Sequence, residues 1–193
     1  MKRVILASAS PRRKELLANM GIDFEIVVSD VEEKVTKVRP EEIVVELSKL
    51  KATDVAAKVD VTPGTLVIAA DTLVFLGDER LGKPKDFEDA VRMLKELSGR
   101  AHNVITGVTL IYNKGNISET CSFYETTEVS FAALDEDEIR EYVSTGEPMD
   151  KAGSYAIQGI SAKFVKSING DYSNVVGLPV PALYQVLKSK GLL

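Results

Sequence analysis

Strand-like and helix-like segments alternate along this 193-residue chain, and the alternation constrains its fold more than any other feature. Short apolar runs at residues 4–7, 24–28, 66–75 and 104–112 predict buried strands. Helical patterns of apolar residues separate these runs, which is typical of an α/β protein. No repeat, low-complexity tract or linker interrupts the sequence, so residues 1–193 are expected to form a single domain.

Capping signals predict where the helices begin. Each predicted start combines a capping side chain, a proline or an acidic first turn, and the starts are Ser10–Pro11, Pro40, Asp86, Asp135 and either Pro179 or Pro181. The acidic run at residues 135–138 suits the positive end of a helix dipole, and a calcium site is the alternative interpretation.

Turn-forming residues mark two segments in the second half of the chain. Asn169-Gly170 lies between two apolar runs and predicts a β-hairpin that joins residues 164–168 to residues 172–176. Residues 147–159 combine turn formers with polar side chains, which is typical of a binding loop rather than of a strand.

Composition excludes several classes of function. Acidic residues outnumber basic ones 29 to 24, a net charge of −5, so binding to duplex nucleic acid is not expected. The one cysteine, Cys121, allows no intramolecular disulfide or cysteine-based zinc site and indicates a reduced compartment. The one histidine, His102, lies in no recognisable motif and is expected to be structural. No apolar run approaches the roughly 20 residues of a membrane helix, which predicts a cytoplasmic protein without a membrane partner.

The segment Ser8-Ala9-Ser10-Pro11-Arg12-Arg13-Lys14 places three cations in the first turn of a predicted helix. Cations at that end oppose the helix dipole, each at a cost of roughly 0.3–1 kcal/mol. A phosphate bound by backbone N–H groups, by the two serine hydroxyls and by the guanidinium of Arg12 or Arg13 would reverse that effect. The alternative is that the basic side chains simply point into solvent.

Asp71, followed by Thr72, interrupts the longest apolar run. A carboxylate inside a buried strand is costly unless it is paired or hydrogen-bonded, so it usually has a specific role. Asp71 could act as a general base toward water or hold a divalent metal that polarises the water. The structural alternative is a buried carboxylate that accepts hydrogen bonds from neighbouring backbone.

Three further charged residues lie at element ends or in loops. Lys83 in Gly82-Lys83-Pro84 and Lys51 near the end of the second helix are expected, from spacing alone, to be solvated. Glu33 in an acidic loop fits a metal ligand and a loop salt bridge equally well. The Walker and Rossmann glycine motifs do not occur in the sequence, so those nucleotide-binding classes lose their main support. The residues alone therefore predict a metal-assisted hydrolase of a phosphorylated small molecule, with the substrate open.

Six collinear motifs extend over the chain. They are Leu6-Ala7-Ser8-Ala9-Ser10-Pro11-Arg12-Arg13, Ala70-Asp71-Thr72, Gly82-Lys83-Pro84, Thr106-Gly107-Val108, Asp150-Lys151-Ala152-Gly153 through Gln158-Gly159, and Gly170-Asp171-Tyr172 through Val176-Gly177-Leu178-Pro179. Together, from about residue 3 to residue 190, they resemble the Maf family. The resemblance implies a fold like that of the inosine triphosphatases: a curved mixed sheet with helices, in two lobes around a cleft.

The resemblance also implies an activity and a set of site residues. It implies a nucleoside triphosphate pyrophosphatase that uses a divalent metal, Mg²⁺ or Mn²⁺, and whose partner is a small-molecule nucleotide. By motif position, Asp71 would be the proton acceptor, and Glu33 and Asp71 would hold the metal. The residues implied for phosphate binding are Ser8, Arg13, Lys51 and Lys83. The oligomeric state stays open, with a homodimer as one option.

Three positions resemble the branch of the family that hydrolyses dTTP and UTP. Arg12, Thr72 and Gln158 stand where the branch that prefers 7-methyl-GTP has Trp, Gln and Glu. An amide offers both a donor and an acceptor to the edge of uracil or thymine, whereas an ionised Glu only accepts. The implied reaction converts dTTP or UTP to the monophosphate and pyrophosphate, with modified pyrimidine nucleotides left open as substrates. The alternative, suggested by the family's older name of septum formation inhibitor, is a nucleotide-binding regulator of cell division with incidental hydrolysis.

Overall fold

The computed structural model describes residues 3–114 and 117–193 and confirms the α/β class. The six α-helices in these residues are α1 (Pro11–Ala18), α2 (Pro40–Lys58), α3 (Phe87–Leu97), α4 (Glu136–Ser144), α5 (Tyr172–Val176) and α6 (Val180–Lys190). The seven strands in the same residues are β1 (Arg3–Leu6), β2 (Glu25–Ile26), β3 (Thr65–Leu76), β4 (Glu79–Leu81), β5 (Ala101–Lys114), β6 (Ile117–Phe131) and β7 (Val165–Asn169). None of these helices is both long enough and apolar enough to cross a membrane.

The strands of the described residues form one mixed sheet. Its order is β2-β1-β3-β5-β6-β7, and β4 pairs with β3 outside that order. β1 is parallel to both of its neighbours, so Leu6 lies opposite Ile26 on one side and Ile68 on the other. β4 is antiparallel to β3, and β7 is antiparallel to β6. The sheet therefore combines parallel and antiparallel pairing, so it is the mixed sheet that the resemblance implied.

Internal contacts divide the chain into two compact units. The first unit comprises Met1–Asp71, Thr106–Glu125 and Gly177–Leu193, and the second comprises Thr72–Ile105 and Thr126–Val176. β3 passes from the first unit to the second between Asp71 and Thr72, and β5 and β6 also contribute residues to both units.

In the first unit, successive residues of β1 and β3 enter two different apolar layers. One layer joins Leu6 and Ile68 to the buried faces of α1 and α6. The other layer joins Ile5 and Val67 to the buried face of α2. Side chains alternate between the two faces of a strand, and here both faces are covered. Burial on both faces explains why these strands are continuous apolar runs in the sequence.

Helix α2 lies very close to β5 at Gly107. A Cβ atom at Gly107 would lie 2.3 Å from the backbone oxygen of Val44, far inside van der Waals contact. Only a glycine therefore allows this approach. Because α2 also carries Lys51, Gly107 helps to fix the position of that lysine's helix.

The core of the second unit contains a cluster of aromatic rings between strands and the helices α3 and α4. Phe131, Tyr155 and His102 contact one another edge to face, and His102 Nε2 lies 2.7 Å from the hydroxyl of Tyr155. Burial lowers the pKa of His102 to about 4. His102 is thus a neutral core residue at neutral pH, which agrees with the structural role expected for it.

Four helix starts were predicted correctly, including Pro40, which is the first residue of α2. Ser10, Asp86 and Asp135 each accept a hydrogen bond from the backbone N–H three residues ahead. Asp135 forms a reciprocal capping box with Glu138, so the acidic run begins a helix as predicted. The last helix begins at Val180, next to the predicted Pro179.

Two sequence predictions in regular structure need correction. The hairpin predicted at Asn169-Gly170 is wrong, because β7 pairs with β6 and residues 172–176 form the helix α5. The Asp171 carboxylate accepts a hydrogen bond from the Ser173 backbone N–H at 2.7 Å, which favours a helical turn over a second strand. The strand predicted at residues 24–28 shortens to β2, whose two residues are both exposed and bury no face.

Candidate active site

The N-terminus of α1 is organised by two serine hydroxyls. Ser10 caps the helix by accepting from the backbone N–H of Arg13 at 3.4 Å, and Ser8 Oγ accepts from the backbone N–H of Ser10 at 3.2 Å. Each hydroxyl that accepts in this way still carries a hydrogen that it can donate to a ligand. The helix start predicted from the sequence is therefore confirmed, with Ser10 acting as its cap.

Arg13 extends from this turn and is fixed by first-unit contacts. Its Nε donates to the backbone oxygen of Gly177 at 2.8 Å, and its Nη1 donates to Ser8 Oγ at 3.4 Å. Loss of solvent lowers the pKa of Arg13 below its ordinary value, and the negative charge of Asp71 opposes that shift. Arg12 adds a smaller repulsion, and Glu33 a smaller attraction. A guanidinium held in this way remains charged and would be stabilised further by a bound anion.

Lys51 joins the two carboxylates that the sequence singled out. Its Nζ lies 2.5 Å from Asp71 Oδ1 and 2.8 Å from Glu33 Oε1. The side chains of Lys51 and Asp71 are 18% and 10% exposed, whereas that of Glu33 is 52% exposed. The expectation of a solvated Lys51 is therefore wrong, because its ammonium group is paired with a carboxylate of β3 and a carboxylate of the loop before α2.

The first unit thus brings together five of the residues selected from the sequence. They are Ser8, Arg13, Glu33, Lys51 and Asp71. The cluster offers a carboxylate that can accept a proton, two cations that can bind phosphate oxygens, and a second carboxylate at the surface. In the described residues no group of three or more His, Cys, Asp or Glu side chains is arranged to hold a metal.

Three more of the predicted site residues belong to the second unit. Thr72 follows Asp71 on β3 and is half-buried. Lys83 is exposed, in agreement with its expected solvation, in a turn whose Gly82 carbonyl accepts from the Gly153 N–H at 3.0 Å. Gln158 is half-buried in the irregular segment between residues 154 and 160. The prediction that residues 147–159 form a loop rather than a strand is confirmed.

A comparison with known families identifies the chain. The family described as "Maf-like protein" matches residues 3–190. The chain belongs to this family. Its motif residues around Ser8, Asp71 and Gln158 all lie within that match, so the resemblance stated from the motifs is confirmed.

Relatives of this Maf-like protein carry a specific name. A protein of Agathobacter rectalis is 52% identical, covering 100% of this chain and 99% of its own length, and a protein of Alkaliphilus oremlandii is 50% identical, covering 98% and 96%. Both are named dTTP/UTP pyrophosphatase. A HAM1 protein from Coxiella burnetii has the same fold, with a TM-score of 0.51 at 18% identity over 98% of this chain and 100% of the other.

The structure also reveals residues of this Maf-like protein to which the sequence assigned no role. Gly177 supplies the carbonyl that holds Arg13, although only its place in a motif had marked it. Lys151 is only 12% exposed and forms an ion pair with Asp150. Glu147 contacts the segment that carries Gln158. These contacts join residues distant in sequence or depend on turn geometry, so spacing alone gave no signal for them.

Proposed function

We propose that this Maf-like protein is a nucleotide pyrophosphatase that hydrolyses dTTP and UTP to the monophosphate and pyrophosphate. The observation that carries the proposal is the contact of Lys51 with both Asp71 and Glu33, close to the charge of Arg13. Such a cluster combines a proton acceptor with cations suited to a triphosphate. The two full-length relatives named dTTP/UTP pyrophosphatase support the choice of substrate.

Phosphate binding is assigned to the cations and the hydroxyl near α1. Arg13 and Ser8 lie at the N-terminus of that helix, where backbone N–H groups and the dipole favour an anion. Lys51 contacts both carboxylates and can neutralise charge that develops on the phosphates. Exposed Lys83 would add a further phosphate contact.

Asp71 is assigned the role of proton acceptor. Lys51 engages one of its oxygens, and the second oxygen can take a proton from water. As that proton leaves, the water oxygen forms a bond to phosphorus at the anhydride between the α- and β-phosphates. The anhydride bond breaks, and pyrophosphate and the nucleoside monophosphate result.

Glu33 and Asp71 are the residues that would hold a divalent metal, Mg²⁺ or Mn²⁺. The donor set fits such an ion, since both carboxylates contact one ammonium nitrogen and Mg²⁺ is often bound by one or two carboxylates together with substrate phosphates. When bound, the metal would neutralise phosphate charge and polarise the anhydride. Lys51, which pairs with both carboxylates, would then interact more with the phosphates.

Base selection is assigned to Arg12, Thr72 and Gln158. All three match the residues of the dTTP- and UTP-hydrolysing branch. Uracil and thymine present the O4 acceptor and the N3–H donor, and the amide of Gln158 can satisfy both.

The cysteine usage of the chain agrees with a reaction in the cytoplasm.

Analysis of reaction products tests the proposal directly. The purified protein is incubated with dTTP or UTP and Mg²⁺ or Mn²⁺, and the products are separated. We expect dTMP or UMP together with pyrophosphate. Release of dTDP and inorganic phosphate would instead indicate a phosphatase, and binding without turnover would favour the regulator of division.

A further inference from the structure

Gln158 lies in a segment without regular hydrogen bonding, so other contacts must fix its backbone. The segment runs between the turn at residues 152–154 and the 3-10 turn that begins at Ile160. Ser161 Oγ reaches back across this segment: it accepts from the Ala156 N–H at 3.0 Å and donates to the Ala156 carbonyl at 2.8 Å. This pair of hydrogen bonds closes residues 156–161 into a loop with Gln158 inside it.

The carboxylate of Glu147 holds the C-terminal side of this loop. Its Oε2 accepts from the Ile160 N–H at 3.2 Å, and its Oε1 lies 3.4 Å from Ser161 Oγ. Oε1 also accepts from the hydroxyl of Tyr142 at 3.2 Å. Because Tyr142 is buried in the core of the second unit, Glu147 connects the loop to a rigid part of the fold.

Gly159 shows how closely the carboxylate approaches the loop. A Cβ atom at Gly159 would lie 2.8 Å from Glu147 Oε1 and 3.0 Å from Oε2. The φ angle of Gly159 is +116°, which other residues rarely adopt. Glycine next to Gln158 therefore permits both the backbone turn and the close contact with Glu147.

We propose that Glu147 is a positioning residue for base selection: it fixes the backbone on the C-terminal side of Gln158, so that the Gln158 amide is presented in one orientation. The inference rests on the proposed function, in which Gln158 contacts the pyrimidine. A fixed amide discriminates between bases because, when the wrong base is bound, the loop cannot move to give the unpaired polar group another partner. Glu147 itself needs no contact with the nucleotide.

Glu147→Gln tests this inference with little change in size. The amide places an N–H₂ group where one carboxylate oxygen accepted, so at least one of the contacts to Tyr142, Ile160 and Ser161 is lost. We expect kcat/KM for dTTP and UTP to fall about tenfold, mostly through KM, because a loosened loop weakens the hydrogen bond from the Gln158 amide to the base, and one hydrogen bond to the ligand is worth about that factor. The kcat/KM for GTP should change less, so that selectivity for pyrimidines narrows. Glu141→Gln, at an exposed position of α4, is the matched control and should behave as wild type.

Gly159→Ala approaches the same contact from the opposite side. The added methyl group should displace the Glu147 carboxylate and give the same loss of selectivity. Gly159→Ala also strains the backbone, because φ at this position is +116°. In the double variant Glu147→Gln/Gly159→Ala we therefore expect a loss smaller than the product of the two single losses, because both changes break the contact with Glu147. Additive losses would overturn the assignment of a shared role.

Hydrogen exchange of the peptide that contains residues 156–161 supplies a readout independent of activity. Exchange should be faster in Glu147→Gln than in wild type and unchanged in Glu141→Gln. Normal exchange in Glu147→Gln overturns the inference. The inference is also overturned if exchange in Glu147→Gln is faster but its base selectivity is unchanged, while Gln158→Glu does change selectivity. If the wild-type protein hydrolyses neither dTTP nor UTP, the proposed function is overturned, and the role of Glu147 in base selection with it. Hydrogen exchange of residues 156–161 then still shows whether Glu147 anchors the loop. Thermal melts confirm that each variant is folded.

Discussion

The two compact units use charge in different ways. In the first unit, Lys51 forms ion pairs with the buried Asp71 and the exposed Glu33, and Arg13 lies within the electrostatic influence of both carboxylates. In the second unit, which has ion pairs of its own at exposed side chains, His102 is kept neutral inside an aromatic core, and Glu147 at the Gln158 loop accepts hydrogen bonds from neutral groups.

This difference suggests a division of labour between reacting groups and positioning groups. Charged side chains that can exchange partners suit the binding of phosphates and the transfer of a proton. Neutral hydrogen bonds to backbone instead fix a loop, which suits discrimination between bases. Changes to the cluster of Arg13, Lys51 and Asp71 in the first unit should therefore affect turnover of every nucleotide, and changes at the Gln158 loop should affect which nucleotide is preferred.

The largest effect is expected from Asp71→Asn. Asparagine has nearly the same size but cannot accept a proton from water, so kcat for dTTP should fall at least roughly 100-fold. The loss should be the same for UTP, because Asp71 acts on the attacking water and not on the base. Steady-state kinetics on both nucleotides measure it.

Asp78→Asn is the control for this change, since Asp78 lies exposed in the turn after β3. It should leave kcat unchanged. A folded Asp71→Asn enzyme with nearly normal kcat would remove Asp71 from the chemistry and, with it, the contrast between the two units.

Arg13→Ala should weaken nucleotide binding without much change in the stability of the free protein. Charge-assisted hydrogen bonds contribute about 1.5–3 kcal/mol, so KM should rise roughly 10- to 150-fold. In the free protein, relief of the unfavourable dipole interaction offsets loss of the bond to Gly177, and the free energy of unfolding should change by less than about 1 kcal/mol. Thermal melts with and without dTTP separate the two effects.

Lys14→Ala provides the comparison, because Lys14 lies exposed in the same helical turn. It should also relieve the dipole but keep the stabilisation that dTTP provides. A clear loss of stability in free Arg13→Ala, with full stabilisation by dTTP, would make Arg13 a structural residue.

Gln158→Glu should change base preference and leave phosphate chemistry intact. The substitution replaces the N–H₂ donor with a second acceptor, so O4 of the pyrimidine would face a carboxylate. The lost hydrogen bond and the unpaired polar group should lower kcat/KM for dTTP and UTP roughly 5- to 150-fold. A full change of preference to 7-methyl-GTP should also need Arg12→Trp, because a methylated, positively charged purine stacks on an aromatic face.

The measurement compares dTTP, UTP, CTP, GTP and 7-methyl-GTP on wild type, Gln158→Glu and the double variant. Uniform losses on all five nucleotides would contradict the division between the two units. Preference of the wild type for 7-methyl-GTP would contradict the assignment of all three selectivity positions.

Local signals made much of the fold predictable from the sequence. Ser10, Asp86 and Asp135 cap helices through atoms only three residues away, and the buried strands are apolar runs because both their faces are covered. The error at Asn169-Gly170 has a local cause too, since the Asp171 side chain competes for the backbone and starts α5. A turn dipeptide predicts a change of direction, but the side chain after it decides whether a strand or a helix forms next.

The site was less predictable because its contacts join distant parts of the chain. Asp71 and Arg13 could be selected from the sequence because a carboxylate in a buried strand and a cation at a helix N-terminus both cost stability. Lys51, by contrast, was expected in solvent, because its partner Asp71 is 20 residues away on a different element. The close approach of Val44 to Gly107 likewise depends on packing that spacing does not show.

The smallest effect concerns His102 and the neutral interior of the second unit. In the unfolded chain its pKa is near the ordinary 6.5, whereas in the folded protein it is about 4. Between these values the unfolded chain binds more protons, so stability should fall as the pH drops from 6.5 toward 4. At pH 5.5 the loss from this one residue should be about 1 kcal/mol.

His102→Gln isolates that contribution. Glutamine does not titrate, and the loss of the contact with Tyr155 lowers stability by the same amount at every pH. The free energy of unfolding, measured with urea at several values of pH, should therefore decline less steeply in the variant than in wild type between pH 6.5 and 5. Carboxylates that titrate in the same range are shared by both proteins and cancel in the comparison. Parallel pH profiles of wild type and variant would show that His102 already takes up a proton in the folded state. The interior of the second unit would then accommodate a charge as readily as the ionic cluster of the first unit does.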